Sequence, residues 1–254
     1  MSDAVLTEQD GDVLLVTINR PDQRNAVNRA VAEGIADAME RLDAEPGLRV
    51  GVLTGAGGYF CAGMDLKAFV AGERPYARDR GFAGIAQRPP DKPVIAAIEG
   101  FAMAGGFEIA LACDIIVAAR GARLAIPEVK RGLVAAGGAL IHLPHRMPYH
   151  VALELALTGD PIPAERGYEL GIVNRITEPG GAVDAARELA TAIARNGPLA
   201  LQGSKRILRA TKDWSADEAW TEQQKISGPI FDSEDAREGA TAFAERRDPV
   251  WKGR

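Results

Sequence analysis

The sequence predicts an α/β core followed by a helical C-terminal region. Two observations indicate the core: short apolar, β-branched runs typical of buried strands, and stretches of helical periodicity between them. Strands that alternate with helices favour parallel pairing in one sheet. A third observation sets the boundary, because strand signals stop after Asn196-Gly197-Pro198 and only helical patterns follow. We therefore expect a core over residues 1–197 and a helical region over residues 198–254.

Four apolar runs predict the strands of the core. They lie at residues 13–18, 50–54, 94–98 and 115–118. A helix is predicted between the first two strands, with Asn28 as its N-cap, because the apolar residues that follow recur every three or four positions. These residues are Val31, Ile35, Met39 and Leu42, and Pro46-Gly47 ends the helix. In the C-terminal region, helices are predicted over residues 216–226 and 235–246.

Residues 72–93 interrupt this alternation. They contain several prolines and arginines and have no clear periodicity. A segment of this length inside a compact domain is typical of a mobile lid or a binding loop. A solvated connector explains the composition equally well. Both interpretations stay open, and the first would place this segment at the pocket.

Composition and charge exclude several classes of protein. The chain has 254 residues, of which 46% are hydrophobic and 26% charged, as is usual for a globular enzyme. Its net charge of −5 predicts no nucleic-acid partner. The longest apolar stretch, residues 94–119, is interrupted by Glu99, Glu108 and Asp114. Since three acidic groups in lipid would be costly, we expect a soluble protein with no membrane span.

The cysteines indicate the compartment. Cys61 and Cys113 are the only two and form no CxxC pair, which favours reduced thiols. The acidic N-terminus lacks the apolar segment of a signal peptide, so a cytoplasmic location is expected. Cys61 could be a thiol nucleophile, but a small buried residue in a turn is the simpler interpretation. The three histidines, His142, His145 and His150, match no metal signature, so no metal site is predicted.

A glycine-rich turn after the second predicted strand superficially suggests a dinucleotide-binding loop. It begins at Gly55 and includes Gly57 and Gly58. The third glycine of that motif would fall at position 60, which is Phe60. A dinucleotide site is therefore not predicted.

Gly105-Gly106-Phe107-Glu108 combines two features of catalytic sites. Glycines that open a helix leave backbone N–H groups unpaired and let a ligand approach closely. Glu108 lies one turn along, on the same helix face as Gly105. A second carboxylate, Glu128, follows Pro127. Together they would form an acid/base pair next to an oxyanion hole, although each glutamate is equally well explained as an ordinary helix-start residue.

Ten short motifs are spread over essentially the whole chain. They are Asn19-Arg20-Pro21, Asn25-Ala26-Val27, Phe60-Cys61-Ala62-Gly63-Met64-Asp65-Leu66, Lys92-Pro93-Val94-Ile95-Ala96-Ala97, Gly105-Gly106-Phe107-Glu108, Cys113-Asp114-Ile115-Ile116, Ile126-Pro127-Glu128, Leu157-Thr158-Gly159-Asp160, Gly171-Ile172-Val173 and Asp235-Ala236-Arg237-Glu238-Gly239. In their order and spacing these motifs resemble the crotonase superfamily, and enoyl-CoA hydratases and isomerases are the most similar members. The resemblance implies a crotonase-like spiral of ββα units and a C-terminal region through which subunits assemble as trimers or pairs of trimers.

The resemblance also implies an acyl-CoA thioester as substrate, with no cofactor beyond its coenzyme A. Two backbone N–H groups would polarise the thioester carbonyl, and they match Met64 and Gly105. Two glutamates would hold the water that adds to the double bond, and they match Glu108 and Glu128. We favour Glu108 as the base and Glu128 as the donor of the C2 proton, although two nearby carboxylates titrate as a pair.

Coenzyme A contacts are implied by the same resemblance at five positions: Ala26, Ala62, Asp65, Leu66 and Lys67. The sequence departs from the usual family pattern after the second glutamate. Many members have a Pro-Gly-x-Gly-Gly turn there, where this chain has Ala135-Ala136-Gly137-Gly138, and Arg123-Leu124-Ala125-Ile126 replaces a frequent Phe-Gly. These departures bear on substrate choice rather than on the fold.

The resemblance favours an enoyl-CoA hydratase, a hydro-lyase of fatty acid or related acyl-CoA metabolism. Retention of both glutamates argues for water chemistry. Three alternatives stay open: an enoyl-CoA isomerase, a carnitinyl-CoA-type dehydratase, and an acyl-CoA-binding homologue without catalysis.

Overall fold

The computed structural model describes residues 3–254. The strands in chain order are β1 (Val5–Asp10), β2 (Val13–Ile18), β3 (Val50–Gly55), β4 (Val94–Ile98), β5 (Phe101–Met103), β6 (Ile115–Ala119), β7 (Arg123–Ala125), β8 (Ile162–Pro163) and β9 (Arg175–Thr177). Six of them form the main sheet in the order β1-β2-β3-β4-β6-β9. Only the β1–β2 pair of this sheet is antiparallel. The predicted α/β class with parallel pairing is confirmed.

Helices cover the sheet and form the C-terminal region. They are α1 (Arg29–Ala44), α2 (Leu66–Val70), α3 (Gly105–Ala112), α4 (Ala139–His142), α5 (Tyr149–Thr158), α6 (Ala164–Glu169), α7 (Ala182–Ala194), α8 (Pro198–Ala210), α9 (Ala219–Phe231) and α10 (Glu234–Glu245). The predicted first helix is confirmed, and the Asn28 side chain accepts a hydrogen bond from the Val31 N–H at 3.1 Å. Within residues 3–254, no helix combines the length and apolar character that a membrane span requires.

The main sheet is buried on both faces. In β4, Ile95 and Ala97 point to one face, while their neighbours along the strand point to the other, as the two-residue period of a strand requires. Helix α7 covers the first face with a stripe of alanines four residues apart, Ala182, Ala186, Ala190 and Ala194. The other face packs against α1 and the segments that carry the site. The site therefore rests on a rigid, two-sided core.

A small second sheet, in the order β5-β7-β8, carries the site segments. Residue Cys61 pairs in parallel with Ala102 of β5, so the turn that follows β3 is joined to this sheet. Helix α3 begins two residues after β5 ends. The turn around residues 60–64 and the start of α3 thus meet at one place.

The aperiodic segment 72–93 is partly core. Ala83 and Ile85 are fully buried, and Arg80 is only 3% exposed. The Arg80 guanidinium lies 3.8 Å from a Glu40 carboxylate oxygen and 3.7 Å from one of Asp43, both on α1. A solvated connector is therefore the wrong interpretation for this part of the segment, because its apolar side chains and its arginine are held against α1.

An acidic residue of the core forms ion pairs with the first C-terminal helix, α8. The Asp114 carboxylate lies 2.7 Å from the Lys205 ammonium and 3.1 Å from the Arg209 guanidinium, both on α8. Helix α9 starts three residues later than predicted and also ends later. It extends beyond residue 226 because it continues through Pro229 and packs Ile230 against Gly203 of α8. The division of the chain at residue 198 into core and oligomerisation region stays a prediction.

Candidate active site

A cavity of about 700 Å³ lies where the small sheet, the start of α3 and the turn Pro127–Arg131 meet. Its wall includes both predicted glutamates and both residues predicted to donate backbone N–H groups: Glu108, Glu128, Met64 and Gly105. The volume is within the range of small-molecule sites in enzymes. The structure thus brings together four residues that are distributed over 65 positions of the sequence.

The backbone at Met64 is oriented by an isolated parallel bridge to Val27. The Val27 N–H donates to the Gly63 carbonyl at 2.8 Å, and the Asp65 N–H donates to the Val27 carbonyl at 2.9 Å. In a parallel pair the residue between these two bonds directs its own N–H to the opposite side. The Met64 N–H accordingly has no hydrogen-bond partner among the described residues, and Met64 lines the cavity.

Gly105 is the first residue of α3, so its N–H has no partner within the helix. The preceding residue, Ala104, has a φ of 53°, a strained conformation for a residue with a side chain. A Cβ on Gly63 would lie 2.7 Å from the Ala104 Cβ and 3.0 Å from the Gly105 nitrogen. Gly63 itself has a φ of +97°, so glycine is required there on two counts. The close contact of these two turns places the Met64 and Gly105 backbones side by side.

Glu108 is almost completely buried, with 4% of its surface exposed. One carboxylate oxygen, Oε1, accepts a hydrogen bond from the Ala139 N–H at 3.1 Å. Burial raises the pKa of Glu108 to about 7, nearby backbone N–H groups oppose this, and the charge of Glu128 adds to it. The Glu108 carboxylate does not cap its own helix, because α3 has no side-chain cap and the carboxylate accepts from the first residue of α4.

Glu128 lies on the 3₁₀ turn Pro127–Arg131 and is half-buried. Its Oε2 atom is buried and has no hydrogen-bond partner among the described residues. Burial raises the pKa of this carboxyl as well. Since the charge of Glu128 acts on Glu108, the two carboxyls share one site. A buried oxygen without a partner, on a residue that lines the cavity, is suited to binding a water or a substrate group.

The residues predicted to contact coenzyme A divide into two groups. Ala62 and Leu66 line the cavity, whereas Ala26, Asp65 and Lys67 do not. The Asp65 carboxylate caps α2, accepting from the N–H groups of Lys67 and Ala68 at 3.1 Å. Their role toward coenzyme A stays a prediction.

Arg20 fixes these residues by two contacts. Its guanidinium lies 3.0 Å from Asp65 and donates to the Ala26 carbonyl at 2.5 Å. It therefore ties the loop that carries Ala26 to the start of α2.

Three residues at the site were not predicted to act there. A Cβ on Gly105 would lie 2.4 Å from Phe82, whose ring therefore packs directly on the α3 start. Tyr76 lines the cavity beside Phe82. A Cβ on Gly137 would lie 2.5 Å from Glu108 Oε2. For Tyr76 and Phe82, the sequence signal is the aperiodic segment 72–93, which is predicted to shape the pocket if it is a binding loop. For Gly137, it is the turn at residues 135–138.

A thiol nucleophile is not supported. Cys61 and Cys113 are fully buried, and burial raises the pKa of each thiol to about 12. The Cys61 Sγ donates to the Asn25 carbonyl at 3.1 Å, as expected for a small buried residue in a turn. In the described part of the chain, His, Cys, Asp and Glu side chains do not gather into a group that could hold a metal ion.

Comparisons with known proteins show the family of the chain. The sequence profile of the Enoyl-CoA hydratase/isomerase family matches residues 8–254. A carnitinyl-CoA dehydratase of Salmonella paratyphi A is 41% identical, with full coverage of both chains. The structure of an enoyl-CoA hydratase from Mycobacterium tuberculosis is 58% identical, with full coverage of both and a TM-score of 0.98. A carnitinyl-CoA hydratase from Mycobacterium avium is 42% identical, again with full coverage, and has a TM-score of 0.80. The predicted crotonase fold and the prediction of a hydro-lyase-type enzyme are thereby confirmed, and the chain belongs to the enoyl-CoA hydratase/isomerase family.

Proposed function

We propose that the protein catalyses the reversible syn addition of water to the C2=C3 bond of a 2-enoyl-CoA, giving a 3-hydroxyacyl-CoA. One observation carries the proposal: two carboxyls with raised pKa values share a cavity with two unpaired backbone N–H groups. Raised pKa values of neighbouring carboxyls in a cleft are characteristic of acid/base sites.

The N–H groups of Met64 and Gly105 would bind the thioester oxygen. As water adds at C3, electrons of the double bond move to C2 and the carbonyl oxygen, which gains negative charge. Backbone donors held in place before the reaction stabilise this charge without reorganisation, and losing one such donor costs about 3 kcal/mol. The close packing of Gly63 against Gly105 supports this role, because it fixes both donors.

The carboxyl pair would move the protons. Hydration needs one base for the water proton and one acid for C2, so the competent pair carries a single proton. Glu108, as the base, receives a proton from the water while the water oxygen bonds to C3. Glu128, as the acid, gives its proton to C2. The N–H donor on Glu108 opposes part of the burial effect that raises its pKa to about 7, so near neutral pH this carboxyl can both lose and take up a proton, as a base must. Each transfer would contribute about 10²- to 10⁴-fold to the rate.

A carnitinyl-CoA dehydratase is the second candidate. Relatives that carry this name are 40–42% identical over the full chain, and dehydration is the reverse of the proposed addition. The two candidates therefore share the site chemistry and differ in the acyl group.

The test follows the loss of the enoyl-thioester absorbance of crotonyl-CoA when protein is added. Wild type should consume the substrate, and Glu108→Gln and Glu128→Gln should each lower kcat by at least about 10². Glu188→Gln, an exposed carboxylate on α7, is the matched control and should keep full activity. Wild-type protein as inactive as both variants would refute the proposal. Activity confined to 3-enoyl substrates would establish an isomerase instead, and binding without turnover would establish a non-catalytic homologue.

We further propose that residues 198–254 assemble the protein into a trimer or a pair of trimers. Three aromatic side chains on these helices, Trp220, Phe231 and Phe243, are each more than three-quarters exposed in the single chain. Large exposed apolar groups of this kind support a subunit interface. Light scattering at micromolar concentration gives the assembly mass directly.

A further inference from the structure

Four cationic side chains line the cavity, and they differ in whether they are already paired: Arg24, Arg74, Lys130 and Arg131. Lys130 forms an ion pair with Asp160. The Arg74 guanidinium lies over the Phe69 ring at 4.4 Å and donates to neighbouring backbone carbonyls. Arg24 and Arg131 have no ion-pair partner among residues 3–254. These two guanidinium groups are therefore the ones available to an anion in the cavity.

Arg131 lies at the reacting end of the cavity. It ends the 3₁₀ turn that carries Glu128, one turn beyond it, and its positive charge acts on the Glu128 carboxyl. The chain then continues along the cavity wall through Leu133 and Val134, which provide apolar surface. A chain extending past the two glutamates would therefore meet apolar surface and one free cation.

Arg24 belongs to another segment of the cavity wall. Its carbonyl accepts a hydrogen bond from the Ala62 N–H at 3.0 Å, which places it on the loop beside Ala62 and Leu66. This is the side where coenzyme A contacts are predicted. The two free cations thus belong to different segments of the cavity wall: Arg131 lies beside Glu128, whereas Arg24 lies on the loop joined to Ala62.

We propose that Arg131 makes the enzyme selective for 2-enoyl-CoA substrates whose acyl chain ends in a carboxylate. The inference rests on the proposed hydration, which it deepens by naming the substrate class. A guanidinium forms paired, charge-assisted hydrogen bonds with a carboxylate. The same charge repels the trimethylammonium group of a carnitine-derived acyl chain. We therefore expect this protein to differ in substrate preference from the relatives named for carnitinyl-CoA.

Three substrates with the same C2=C3 thioester test the proposal, because they differ in charge at the far end. They are glutaconyl-CoA (anionic), pent-2-enoyl-CoA (neutral) and crotonobetainyl-CoA (cationic). In wild type, kcat/KM should be about tenfold higher for the anionic than for the neutral substrate, and lowest for the cationic one. Because Arg131 is exposed, the preference should weaken as salt is added.

Arg131→Gln should reduce the anionic-to-neutral ratio to about one, whereas Arg131→Lys should keep a part of it. Arg24→Gln is the matched control, since it should lower kcat/KM for all three substrates by the same factor. An equal loss on all three with Arg131→Gln would overturn the proposal, because it would place the guanidinium on a coenzyme A phosphate. A wild-type ratio near one would overturn it as well.

A binding measurement separates this proposal from the hydration itself. Calorimetry with the saturated analogues glutaryl-CoA and pentanoyl-CoA needs no turnover. Tenfold tighter binding of glutaryl-CoA to wild type, lost in Arg131→Gln, supports the selectivity even if the reaction proves to be another. Equal affinities in wild type would overturn it, even if hydration is observed.

Discussion

Replacing Glu108 by Gln should stabilise the folded protein above neutral pH while abolishing its acid/base function. Burial raises the pKa of this carboxyl from 4.5 to about 7. Since the folded pKa lies above the unfolded value, the folded state binds more protons between these pH values. The contribution of Glu108 to stability is therefore fully present below pH 4.5 and is lost as the pH rises through about 7. A neutral amide removes that loss.

The magnitude follows from the shift. A difference of about 2.5 pKa units at about 1.36 kcal/mol per unit gives about 3 kcal/mol at pH 8. At pH 5 Glu108 of the folded wild type is mostly protonated and therefore uncharged, like the glutamine of the variant. The expected gain in the free energy of unfolding is then about 1 kcal/mol or less. Because Glu108 is 4% exposed, solvent screening reduces this little. The glutamine carbonyl can still accept the Ala139 N–H, so that hydrogen bond is kept.

Urea denaturation at pH 5, 6, 7 and 8 measures the effect as the difference in unfolding free energy between variant and wild type. Protein concentration is held constant, because assembly would otherwise contribute. Glu188→Gln, at an exposed position of α7, is the matched control for the loss of one carboxylate. A stability difference between Glu108→Gln and wild type that does not grow from pH 5 to pH 8 would contradict this prediction. The cost of burying the Glu108 charge would then be fully offset by its contacts.

Three further predictions concern other parts of the fold. Gly137→Ala places a methyl 2.5 Å from Glu108 Oε2 and should lower kcat by about 10², whereas Gly47→Ala, which meets no atom within 4 Å, should not; equal rates would contradict this. Asp114→Asn leaves two cations of α8 without their partner and should cost about 3 kcal/mol in urea denaturation; a cost below about 1 kcal/mol would contradict it. Asp235→Asn should speed amide exchange at positions 252 and 253 by about tenfold, because its buried carboxylate accepts from both N–H groups at 2.7 and 2.9 Å; unchanged exchange would contradict it.

The large elements could be predicted because their signals are local. The strands β2, β3, β4 and β6 are continuous apolar runs, and α1 carries its own cap and periodicity. The strands β5, β7 and β8 have two or three residues each, too few for any alternation to be recognised. Their pairing depends on contacts between distant segments, which local patterns do not contain. The small sheet that carries the site was therefore the least predictable part of the fold.

The site divides in the same way. Gly105 and Glu108 lie within one helical turn, so their proximity follows from spacing alone. Glu128 is a second candidate carboxylate in the sequence, but nothing local shows that it folds back onto α3. Met64 is implied only by the resemblance to a family. The ion-pair state of Arg131 could not be predicted at all, since a partner such as Asp160 for Lys130 lies 30 positions away.

The turn at residues 135–138 departs from the usual family pattern where the structure tolerates side chains. Ala135 is buried among apolar residues of the core, and Ala136 is exposed at the cavity wall, so each methyl group has space. Gly137, which the chain shares with that pattern, is the position where a Cβ would collide with the Glu108 carboxylate. The steric requirement of the acid/base pair is therefore met, although the sequence of the turn differs. We expect any effect of the two alanines in the choice of acyl group, because Ala136 lines the cavity and the position next to the Glu108 carboxylate remains a glycine.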